Sequence, residues 1–135
     1  MSLSNTAENA ILNYIFIGTD VSWNGNTDLY FALHTADPGE AGSAVTSEAA
    51  YGGYARVALT RATDFTVSGD TVSNTNQEAF PQCSSGSETL SYVSIVTSAS
   101  GAGTIILRAA LNSPITVSTG VQPLFAASSL TFTAN

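Results

Sequence analysis

Lysine is absent from this 135-residue chain, and the permanent cations are Arg56, Arg61 and Arg108 alone. Ten carboxylates oppose them, for a net charge of -7. Nucleic-acid binding needs clustered Lys and Arg to neutralise phosphates, and three scattered arginines form no cluster. The same shortage argues against docking on an anionic membrane surface. Cysteine occurs once, at Cys83, so no intrachain disulfide can form, which fits folding in a reducing cytoplasm. Histidine also occurs once, at His34, so a multi-His or His-Cys zinc site cannot be assembled. No serine lies in a Gly-x-Ser-x-Gly elbow. No apolar run approaches the roughly 20 residues of a membrane helix. The start of the chain has no basic n-region, and Asn13 interrupts Ala10–Ile17, so no secretory signal is expected.

Scarce charge does not imply disorder here. The chain is 44% hydrophobic, and its polarity comes from Ser, Thr, Asn and Gly rather than from ions. A surface of that kind packs against protein or sugar with little charge to desolvate. The length suits one domain, 1–135, because no repeat, linker or charge block divides it. One helix is expected near the start, over about 5–17. Asn5 is placed as its cap, Glu8 completes a capping-box pattern, and Gly18 stops it. Its apolar residues run nearly all round: Ala7, Ile11, Tyr14, Ile15 and Ile17 share one side, and Leu12 and Phe16 lie on another. Such a helix calls for burial on two sides, one against its own sheet and one elsewhere.

The remainder reads as strands. Leu29, Phe31 and Leu33 alternate with Tyr30, Ala32 and His34, up to a turn at Asp37-Pro38-Gly39. A hinge-like Tyr51-Gly52-Gly53-Tyr54 leads into a strand over Tyr54–Arg61. Further strands are expected over Phe65–Val67, Thr71–Ser73, Leu90–Thr97, Thr104–Leu111, Ile115–Val117 and Leu130–Thr133. Hairpin turns fall at Ser68-Gly69-Asp70 and within Ser98–Gly103. Short strands with turns between them predict a mainly β fold, an antiparallel β-sandwich, of which the jelly roll is one form, with one N-terminal α-helix. Phe31, Leu33, Val57, Leu59 and Leu107 are its expected core.

The string "LHTADPG…YAR", at Leu33–Gly39 and Tyr54–Arg56, resembles a family of small tailed-phage virion proteins of the tail-fibre or head-decoration type. The order of pieces carries the resemblance along nearly the whole chain. An N-terminal helix, that strand-turn, Phe80-Pro81, a strand into a glycine-bearing hairpin and a β-rich end follow one another. The chain departs from the family at Gln82–Ser87, where members often have aromatic residues. The resemblance implies a virion structural protein made in the host cytoplasm, with no enzymatic activity. Head decoration is the first expectation: a cement protein that stabilises the shell by contacts with the major capsid protein. A tail-fibre or tail-associated protein with receptor (carbohydrate) binding is the alternative.

Few residues stand out as a site. No catalytic, cofactor-binding or metal-binding set is expected. Asp28, Asp37, Asp64 and Asp70 fall at strand ends and turns, where Asp commonly caps backbone groups. The Asp20–Asp28 loop has oxygen side chains but lacks EF-hand spacing. His34 is expected to hydrogen-bond within a sheet, and Cys83 to be a small buried residue. Leu12 and Phe16 are candidate subunit-interface residues for a dimer or trimer. Trp23, flanked by Asn24, Gly25 and Asn26, is a candidate exposed contact, with a plug over one end of the sandwich as the rival role.

Overall fold

The computed structural model describes residues 2–134. In chain order the elements are β1 (Ser2–Leu3), α1 (Asn5–Ile17), β2 (Asp28–His34), β3 (Val57–Thr60), β4 (Phe65–Ser68) and β5 (Thr71–Asn74). There follow β6 (Glu78–Ala79), β7 (Glu88–Val96), β8 (Ile105–Val117), β9 (Leu124–Phe125) and β10 (Thr131–Thr133). A five-stranded sheet has the order β1-β8-β7-β2-β3, a three-stranded sheet β10-β5-β4, and β6 pairs with β9. Every pairing is antiparallel. The fold is the mainly β, sandwich-like arrangement that the alternating pattern predicts.

The layers meet through aromatic rings. Phe31 of β2 stacks on Phe132 of β10 at 6.2 Å between ring centres and meets Phe65 of β4 edge-on at 6.0 Å. Phe80 meets Phe125 of β9 edge-on at 5.8 Å. All five expected core residues belong to this cluster; Val57 sits half-buried at its margin. Hydroxyl pairs such as Thr66–Thr75 and Thr71–Thr133, at 2.9 and 3.3 Å, link neighbouring strands of the three-stranded sheet. The Ser/Thr-rich composition is thus used within the sheet as well as on the surface.

Three local readings need correction. The helix cap is Ser4, not Asn5: the Ser4 Oγ accepts from the Ala7 N–H at 3.1 Å, which removes the Asn5–Glu8 capping box. Gly18 does end the helix, with a φ of 77° and its N–H donating to the Asn13 carbonyl. The two short strands expected on either side of Ser113-Pro114 are one strand, β8. Proline is tolerated there because it lies in a bulge: the register with β7 passes from Tyr92–Ala110 to Leu90–Ile115, so Leu111–Pro114 have no partner and the missing N–H breaks no ladder. Tyr51–Tyr54 is not a hinge. Gly52 donates to the Ser85 carbonyl at 2.8 Å and accepts from Ser84 N–H at 2.9 Å, and a Cβ on it would lie 2.1 Å from the Ser85 Oγ. The Gln82–Ser87 segment is therefore clamped onto this glycine.

Candidate assembly interface

The loops of this protein are fixed by its few cations. Arg56 faces Glu48 through two bonds, Nε to Oε1 at 2.6 Å and a second guanidinium nitrogen to Oε2 at 2.9 Å. The remaining donors of Arg56 reach the Ser98 and Gly101 carbonyls at 2.8 and 2.7 Å. Tyr54 donates to Glu48 at 3.0 Å and accepts from the Leu33 N–H at 3.1 Å. Burial pushes the Tyr54 hydroxyl pKa up, and the Glu48 hydrogen bonds raise that of Arg56. The Tyr-Ala-Arg motif is therefore a clasp between the long loop after β2 and the β7–β8 hairpin. Arg61 donates to the carbonyls of Trp23, Asn24 and Asn26, at 3.2, 2.9 and 3.0 Å. Arg108 is ion-paired with Asp37 at 3.3 Å and Glu40 at 3.7 Å. Each arginine is engaged within the chain.

The other candidate residues are structural. His34 is fully buried; its Nδ1 lies 2.9 Å from the Thr46 carbonyl and its Nε2 2.7 Å from the Ser94 Oγ. A carbonyl only accepts, so Nδ1 carries the proton and Nε2 accepts from Ser94. Burial holds the His34 pKa below 6.5, against opposing pulls from Thr46, Glu48 and Asp37. Below about pH 6.5 the unfolded chain takes up a proton that the folded chain refuses. Stability is therefore complete above that pH and falls as pH drops towards the lower folded value, by up to about 1.4 kcal/mol per unit. Urea unfolding at pH 7.5 and 5.5 should show this loss in the native protein and a smaller one in His34→Gln. Equal pH dependence in both would assign the loss elsewhere.

Cys83 is buried, and its Sγ donates to the Ser85 carbonyl at 3.2 Å. Asp37 and Asp64 accept from the backbone N–H groups of Gly39 and Thr60, each at 2.8 Å. Among the described residues no three His, Cys, Asp or Glu side chains come together as a metal site. No described helix is long and apolar enough to cross a membrane.

Trp23 is not an exposed contact. It is only 9% exposed, because Arg61 draws the carbonyls of its loop inward and the indole is covered. The helix departs from expectation in the opposite sense. Its only buried residue is Ala7, and the side expected to cover the sheet is open. Leu12 is 55% and Phe16 75% exposed, and Ile11, Tyr14, Ile15 and Ile17 are exposed with them. The attachment is confined to the first turn. Ser4 donates through Oγ to the Ile105 carbonyl and through N–H to Ile106, and the Asn5 N–H donates to Glu40 at 3.0 Å. Beyond Ala7 the helix, about 20 Å long in all, stands off the domain as an apolar arm. Sequence periodicity shows that apolar residues surround this helix; it does not show that the domain leaves both sides uncovered.

Contiguous exposed apolar patches are where proteins commonly make contacts. That surface, rather than any pocket or polar cluster, is the candidate functional site. No curated protein matches the chain closely enough to count as a relative. Residues 2–133 match the family model described as "Podophage GP4 fiber I protein gp80". With almost all of its length matched, the chain belongs to that family of phage structural proteins.

Proposed function

We propose that the protein is a structural subunit of a podophage tail fibre, built into the virion through its N-terminal helix and catalysing no reaction. The exposed apolar arm carries this reading. Of six large apolar side chains on the 13-residue helix, all but Ile11 are more than half exposed. Burying each contributes about 1.5–3 kcal/mol, so a docked arm is a strong joint. Self-association as a dimer or trimer covers the same patch in every copy. The partners are protein: further copies of the chain and neighbouring virion proteins. DNA is a poor partner because all three arginines already hold loops.

The fibre reading is preferred to head decoration because the family is described as a fibre protein. The cement reading keeps one observation in its favour. Both ends of the described chain are strands in sheets, β1 on β8 and β10 on β5, as suits a compact block spanning capsomers. In that case the major capsid protein would be the partner. Trp23 gives receptor binding no support, since it is covered. Copy number and position in purified particles separate the two readings. A few dozen copies at most, confined to the tail, are expected; hundreds spread over the head would establish decoration and refute the fibre assignment.

A further inference from the structure

We propose that Asn24 is a self-modification site, which loses its side-chain amide to attack by the Gly25 backbone nitrogen with assistance from Arg61. The inference needs no partner and stands apart from the assembly reading. Asn24 is the only asparagine followed by glycine. Both residues are exposed and sit at the centre of a turn, in which the Asn26 N–H donates to the Trp23 carbonyl at 3.1 Å. That turn bond leaves the Gly25 N–H unused. Among the described residues, no hydrogen bond holds this N–H or the side-chain amide of Asn24. The nucleophile and the carbon it would attack, Asn24 Cγ, are both open to solvent and spaced to close a succinimide ring.

The other described asparagines lack this combination. Asn26 donates its amide to the Thr97 carbonyl at 2.9 Å, and the buried Asn74 donates to the Asn76 and Ala126 carbonyls. In α1 the helical ladder takes up the amides that follow Asn9 and Asn13. Asn5, Asn76 and Asn112 precede Thr6, Gln77 and Ser113, whose side chains shield the backbone nitrogen. At Gly25 an added Cβ would meet nothing within 4 Å, so the approach is open.

Arg61 stands where the reaction needs a cation. The Gly25 nitrogen must give its proton to water, and the resulting negative charge is shared with the Asn24 carbonyl oxygen. Arg61 donates to that oxygen at 2.9 Å. A donor fixed where charge develops lowers the barrier. The bond from the Gly25 nitrogen to Asn24 Cγ forms, the Cγ–Nδ2 bond breaks, and ammonia leaves after taking a proton from water. A second water then opens the succinimide. Opening at Cγ gives aspartate; opening at the former Asn24 carbonyl gives isoaspartate. In the second case the main chain runs through Cγ, and the freed carboxylate lies where Arg61 already donates. The lengthened turn loses its Trp23–Asn26 hydrogen bond, and Trp23, 9% exposed at the start, loses its cover.

Peptide mapping of the folded protein held at mildly alkaline pH, with aspartyl and isoaspartyl products separated, tests this. Asn24 should convert before any other asparagine, largely to isoaspartate. Earlier conversion elsewhere, or an intact Asn24, overturns the proposal. Gly25→Ala, for which the turn has room, should slow conversion at least about tenfold; an unchanged rate overturns the proposal. Arg61→Gln, with its β-structure verified by circular dichroism, should slow conversion by about tenfold. Equal or faster conversion overturns the part given to Arg61, and Gly25→Ala keeps the test decisive whether or not that variant folds. Trp23 is the only tryptophan of the chain, so its emission should move to longer wavelength as isoaspartate accumulates. Unchanged emission after full conversion would contradict the uncovering of Trp23.

Discussion

Glu48→Ala should destabilise the protein by about 3–5 kcal/mol, because it leaves the Arg56 guanidinium buried without its counter-ion. The Arg56 side chain is 2% exposed, so water cannot replace the lost carboxylate. The same change deprives the Tyr54 hydroxyl of its acceptor. For a chain of this size the loss corresponds to about 10–20 °C in melting temperature. Glu40→Ala provides the contrast. Glu40 meets Arg108 at 3.7 Å with half its side chain in water, and such pairs contribute less than about 1 kcal/mol. Thermal unfolding followed by circular dichroism should rank the variants in that order. Similar small losses in both would show that the Tyr-Ala-Arg clasp does not hold the loops.

This clasp also marks the limit of what the sequence discloses. Alternation placed Phe31, Leu33 and Leu59 in the core, since period two and a buried face leave little freedom of register. The turn at Gly69 and the stop at Gly18 were legible because positive φ there suits glycine. Glu48 carried no such signal. Its role depends on a loop folding back so that Tyr54 and Arg56 reach it, and that is a tertiary fact. Trp23 misled for the same reason, since the arginine that pulls its loop inward is 38 residues away. Leu12 and Phe16 stand out as candidate contact residues from the excess of apolar positions on the helix. That Ile11, Tyr14, Ile15 and Ile17 share their exposure depends on where the first turn docks, which periodicity does not encode.

The central claim is that α1 is a joint between subunits. Its double variant Leu12→Ser/Phe16→Ser has a large expected effect. Burying the exposed parts of these two side chains contributes about 2–4 kcal/mol per copy, so the substitution should weaken self-association at least about thirtyfold. The fold should not suffer, because both residues are largely in solvent in the isolated chain and the helix is anchored through Ser4 and Ala7. The decisive measurement is sedimentation equilibrium of the native protein and the double variant, with circular dichroism to verify the β-structure. The account predicts a dimer or trimer for the native chain and a folded monomer for the variant. A variant that keeps the native mass, or a native protein that is monomeric throughout, would contradict it.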